Sequence, residues 1–137
     1  AVGEAPVEVM GWKRIAPSGV DHTFFGQLRF SGGVLAQIQS SFALPSFSRM
    51  ELRGTEGALI VPDPFKPPKR SQFILQREKE DRVRVKGSDL YLGEVENMAD
   101  VILNGAPARV PLEESRRIVQ SLTALHRSAD TGQPVMV

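Results

Sequence analysis

The sequence predicts an α+β fold: an open, mainly antiparallel β-sheet with two C-terminal helices packed on one face and the other face free. Three observations lead there. Apolar and polar residues alternate along much of Pro6 to Val85, glycine turns punctuate that stretch, and two stripes of helical period close the chain between Tyr91 and Val137. Neither helix can bury its stripe alone, and the apolar face of a one-sided sheet is its natural partner.

Val7, Val9 and Trp12 mark a first strand whose register the pattern leaves open. From His22 to Phe30, Phe24, Leu28 and Phe30 share one face, and Thr23, Phe25, Gln27 and Arg29 the other. Gly32-Gly33 supplies a tight hairpin turn. The next strand places Val34, Ala36, Ile38 and Phe42 opposite Leu35, Gln37, Gln39 and Ser41. A further hairpin runs from Arg49–Arg53 through Gly54-Thr55-Glu56-Gly57 to Ala58–Val61. Pro62 to Pro68 is too proline-rich for a central strand. Gln72–Gln76 and Arg82–Val85 form a more exposed hairpin. In the first helix Val95, Met98, Ala99, Ile102 and Leu103 make one stripe, ended by Asn104-Gly105. In the second, Ile118, Val119, Leu122 and Leu125 form the expected apolar face, with Glu113 and Glu114 favourable to the helix dipole and Gly132 as the stop.

The 137 residues fit one domain, and 41% hydrophobic content is enough for a core. Seventeen Lys and Arg against sixteen Asp and Glu give a net charge of +1, so no electrostatic argument points to nucleic acid or to a membrane surface. No apolar run approaches the roughly 18 residues of a membrane span. The absence of cysteine excludes disulfides, thiolate metal sites and a cysteine nucleophile, and permits a reducing compartment. The start, A-V-G-E-A-P-V, carries no targeting pattern and reads as the middle of a longer protein.

Residues able to do chemistry are few. Gly54 and Gly57 join two strands and are hairpin residues; a dinucleotide site needs its glycines between a strand and a helix. His22 follows Asp21, but neighbours in a strand point to opposite faces, so that aspartate is badly placed to orient the ring. His126 sits in the last helix, where a dipole-friendly surface role suffices. Glu96 and Asp100 share a helix face and are ordinary helix-start charges rather than metal ligands. The row Phe25, Gln27, Arg29, Leu35, Gln37 and Gln39 has two readings of equal standing: a solvated sheet face, or a contact surface on which Phe25 and Leu35 find cover.

Taken in order, five pieces carry a likeness. They are Leu28-Arg29-Phe30-Ser31-Gly32-Gly33, Glu51-Leu52-Arg53-Gly54-Thr55-Glu56-Gly57, Tyr91 with Glu94, Ala99-Asp100 through Asn104-Gly105, and Ser128 through Val135. With them the chain closely resembles the C-terminal domain of the glucose–fructose oxidoreductase / inositol dehydrogenase / MocA (Gfo/Idh/MocA) family. The resemblance implies an NAD(P)-dependent oxidoreductase acting on a sugar, polyol or related compound. It implies an N-terminal Rossmann domain as partner and subunit contacts through the free sheet face. On that reading Phe25, Gln27, Arg29, Leu35, Gln37 and Gln39 form an oligomer interface, and Tyr91 lies near bound substrate. The family's catalytic lysine, in Glu-Lys-Pro, and its Asp-x-x-x-His have no counterpart: Glu80 follows Lys79, and Phe65 precedes Lys66-Pro67. The expectation is therefore a single domain, 1–137, that lacks the Rossmann half and any catalytic, cofactor-binding or metal-ligating residue. It is inactive alone and cytoplasmic, and its full-length protein uses NAD or NADP. The alternative is a non-enzymatic binding or assembly module on the same fold.

Overall fold

A computed structural model describes residues 3–137. In chain order the elements are β1 (Glu8–Ile15), β2 (Asp21–Arg29), β3 (Leu35–Ser41), β4 (Arg49–Gly54), β5 (Gly57–Pro62), β6 (Arg70–Gln76), β7 (Glu80–Lys86), α1 (Leu92–Asn104), α2 (Leu112–Thr131) and β8 (Val135–Met136). The α+β class and the antiparallel pairing are those expected, and the strands are shared between two four-stranded sheets. The chain folds as two compact units. One takes the segments up to Pro45 and from Val110 onward; the other is Ser46–Arg109.

In the first unit the strand order is β3-β2-β1-β8. The register places Val9 opposite Leu28, Gly11 opposite Gly26 and Lys13 opposite Phe24, and continues into β3 with Leu28 opposite Ala36 and Gly26 opposite Ile38. Those residues face α2. The core is Val9, Phe24, Ala124 and Leu125, with Leu28, Ala129 and Val135 packed around it.

The two glycines in the middle row let the helix come close. A Cβ on Gly11 would run into the carbonyl oxygen of Leu125, and one on Gly26 would stand 2.9 Å from a Leu125 methyl. The helix answers with small residues: its buried positions are Ser121, Ala124, Leu125 and Ser128. This corrects the expected stripe. Ile118, Val119 and Leu122 are 50%, 60% and 47% exposed, because hydrophobicity marks the larger residues while the narrow gap admits the smaller ones.

Ser128 is fully buried, and its hydroxyl ties three segments together. It accepts from the Gly11 N–H at 3.0 Å and donates to the Gln133 carbonyl at 2.6 Å. The second bond turns the chain just after the Gly132 cap, so that Val135 and Met136 pair with Val9 and Glu8. A Lys13–Asp130 ion pair closes the same end.

In the second unit the order is β4-β5-β6-β7. Thr55-Glu56 is the turn between Gly54 and Gly57, which pair with each other. One face carries Met50, Leu52, Leu59, Phe73, Leu75, Val83 and Val85, and the other is largely charged. The first helix departs from expectation. α1 has no buried residue, and Val95, Met98, Ile102 and Leu103 are all exposed. The two helices belong to different compact units.

Candidate functional site

The face of the first sheet turned away from α2 brings together the six residues singled out from the alternation. Phe25 lies opposite Gln39, Gln27 opposite Gln37, and Arg29 opposite Leu35. Two-residue periodicity in paired strands produces this directly, since the Gly32-Gly33 turn sets a register in which odd-numbered residues share one side.

The β1 partners of that row complete the face. Trp12 is opposite Phe25, and their rings meet at 5.6 Å between centroids with a 43° tilt. Glu8 is opposite Arg29 and accepts a hydrogen bond from its guanidinium at 3.0 Å. That bond, and then the charge of Glu8, raise the Arg29 pKa further above its already high value. Both partners are partly exposed, so the pair aligns side chains more than it holds the sheet together. Met136 stands beyond Glu8 at the β8 edge. Met10 is the exception on β1: its sulfur lies 3.3 Å from Ser128 Oγ, so it leaves the face.

The result is a flat surface of mixed character. Leu35 is 75% exposed, Met136 68% and Trp12 46%, among three glutamines and one ion pair. Interfaces combine aromatic and aliphatic anchors with hydrogen-bonding side chains in this manner. Trp12 and Met136 were missed from sequence. Trp12 could have been found from its alternation with Met10 and Arg14 once β1 was paired, whereas the two-residue β8 carries no signal.

Tyr91 belongs to the second unit. It is the residue before α1, with φ −101 and ψ −1, and its carbonyl accepts the Val95 N–H at 3.1 Å. Its side chain is 61% exposed. At the other end of α1, Asp100 accepts from the Asn104 amide at 3.0 Å, which employs the carboxylate in helix-end bonding.

The imidazoles have structural partners. His22 Nδ1 lies 3.0 Å from Thr23 Oγ1, which lies 2.9 Å from Ser41 Oγ, and Ser41 donates to the His22 carbonyl at 3.1 Å. A single direction satisfies the circuit: ring N–H to threonine, threonine to serine, serine to carbonyl. The His126 ring lies against the Phe24 ring, 5.0 Å between centroids and tilted by 47°. Glycine turns that could cradle a pyrophosphate need a helix behind them, and Gly54–Gly57 leads instead into β5. That turn is therefore a hairpin and not a dinucleotide cradle.

Residues 1–60 match the GFO/IDH/MocA C-terminal domain. The remaining comparisons agree with that match. The chain is 30% identical over 120 residues to the NADP-dependent D-xylose 1-dehydrogenase 2 of Haloferax volcanii, spanning 85% of the chain and 37% of the relative. An oxidoreductase of Rhizobium meliloti is 26% identical over 122 residues, 83% of the chain and 36% of that protein. The chain thus spans little more than a third of the curated relatives it matches. The structure of an aldose–aldose oxidoreductase from Caulobacter crescentus superposes with a TM-score of 0.86 at 18% identity, covering 98% of the chain and 42% of that protein. A UDP-N-acetylglucosamine 3-dehydrogenase from Acidithiobacillus ferrooxidans gives 0.82 at 14% identity, covering 94% and 42%. These two likenesses concern the fold. Among the described residues no helix is long and apolar enough to cross a membrane.

Proposed function

We propose that this chain is the substrate-side and subunit-contact domain of a GFO/IDH/MocA oxidoreductase, one that transfers hydride between NAD(P) and a sugar, polyol or related compound in the cytoplasm. The observation that carries the reading is the alignment to a D-xylose dehydrogenase along 85% of the chain. The fold likeness to aldose and nucleotide-sugar oxidoreductases supports it.

Within that enzyme the labour divides by chemistry. The cofactor and the proton-transferring residues belong to a Rossmann half, in keeping with a Gly54–Gly57 turn that leads into a strand rather than into a helix N-terminus. This chain contributes one wall of the pocket through Tyr91, whose phenol can donate to or accept from a sugar hydroxyl. It contributes the subunit contact through Trp12, Phe25, Gln27, Arg29, Leu35, Gln37 and Gln39. Holding a polyol by hydrogen bonds while another domain holds the nicotinamide fixes the two reactants in line, and orientation of that kind supplies much of an enzyme's advantage.

The test is reduction of NADP+ and NAD+ by pentoses, hexoses and polyols. Joined to its Rossmann half the chain is expected to support sugar-dependent reduction; alone it is expected to support none and to bind no NADH in the micromolar range at physiological salt. Turnover, or saturable micromolar NADH binding, by the 137-residue chain alone overturns the reading.

A further inference from the structure

The second sheet carries a basic groove that the oxidoreductase reading does not use. Arg70, the first residue of β6, is directly opposite Lys86, the last of β7, and Arg84 is the next residue along that face, opposite Gln72. Like charges placed directly opposite in paired strands cost stability, where opposite charges there contribute it. Other cations of this sheet are matched: Arg49 and Arg53 reach Glu51, Arg82 reaches Glu80, and Lys69 pairs with Asp89 at 2.8 Å. Among the described residues Arg70, Arg84 and Lys86 have no ion-pair partner.

These three cations line a groove of about 800 Å³, with Gln72, Asp63 and Pro68 among its other walls. Charged residues on an edge strand guard against edge-to-edge pairing, and β7 is an edge. That role accounts for Arg84 and Lys86. Arg70 lies beyond the β5–β6 ladder, which ends at Ile60 opposite Ile74, so the same role extends to it, but that role does not account for the groove that the three cations share with Pro62 and Pro68. Three cations against one carboxylate leave the groove positive. Planar guanidinium forks on two of the three match phosphate oxygens better than point charges do.

We propose that the groove formed by Arg70, Gln72, Arg84 and Lys86 binds a small phosphate-bearing ligand with at least two negative charges. Arg70 and Lys86 clamp one end from opposite strands. Arg84 and the Gln72 amide hold the next group along the sheet.

The probe is inorganic pyrophosphate, titrated into the 137-residue chain at low ionic strength and followed by backbone amide shifts. Saturable shifts confined to β6, β7 and the Asp63 loop are expected, with a Kd of about 1 mM or below. Arg70→Ser and Arg84→Ser, both on exposed side chains, are each expected to weaken binding about tenfold, while Arg116→Ser on α2 leaves it unchanged. Citrate offers carboxylates that the same forks also accept, so it is the competitor that tests the phosphate assignment; it is expected to bind more weakly than pyrophosphate, whose linked tetrahedral groups reach both strands. Absence of saturation, shifts spread over the chain, or unaltered affinity in both serine variants overturns the site. Citrate binding as tight as pyrophosphate overturns the phosphate assignment.

Discussion

Ser128 shows how much one buried polar atom can organise. Its hydroxyl serves the Gly11 N–H and the Gln133 carbonyl, two backbone groups on segments far apart in sequence. Ser128→Ala leaves the buried Gly11 N–H unpaired and frees the Gln133 carbonyl, and is expected to destabilise the first unit by about 1–3 kcal/mol in urea melts. Gly11→Ala tests the close approach from the other side. Its new methyl meets a backbone oxygen that has no rotamer to escape into, so a loss of about 1–3 kcal/mol is expected by the same measurement. Tyr91 carries the substrate proposal. In the Rossmann-joined enzyme Tyr91→Phe is expected to raise KM for the sugar about tenfold with melting unchanged, as steady-state kinetics will report.

The elements were legible in the sequence to different degrees, for reasons that lie in their packing. The β2–β3 hairpin was readable because alternation and a glycine turn agree, and its register followed. Both helix ends were readable because Gly105 and Gly132 adopt the left-handed cap conformation, with φ of 63 and 66. The packing face of α2 was not. Its contact depends on Gly11 and Gly26 lying beneath Ser128 and Leu125, a relation between segments about a hundred residues apart. Division of the strands into two sheets was likewise hidden, since periodicity describes a strand and not its neighbours. The face of the candidate interface was visible through Phe25 and Leu35, but Trp12 and Met136 joined it only through pairing with β2 and the chain end. Substitutions can separate the two helix stripes. Leu125→Ala is expected to cost about 2–5 kcal/mol, and Ile118→Ala less than about 1 kcal/mol, by thermal or urea unfolding.

At the scale of the molecule, the first unit has a sheet covered by a helix on one side only. The uncovered side combines a tilted Trp12–Phe25 pair, a cross-strand ion pair and exposed Leu35 and Met136. The proposal that this protein is half of a sugar oxidoreductase gives that surface an occupant, a second subunit meeting it face to face. A solvated face has no such requirement and tolerates a charge at its centre. Phe25 is the residue to change, because its ring supports Trp12 and its neighbours on both strands are the proposed contacts. Sedimentation velocity of the chain at about 100 μM, well above the micromolar range of ordinary specific contacts, decides between them. A dimer or larger species that Phe25→Asp converts to monomer is the expected result. A wild-type monomer at that concentration, with Phe25→Asp sedimenting identically, would contradict the account.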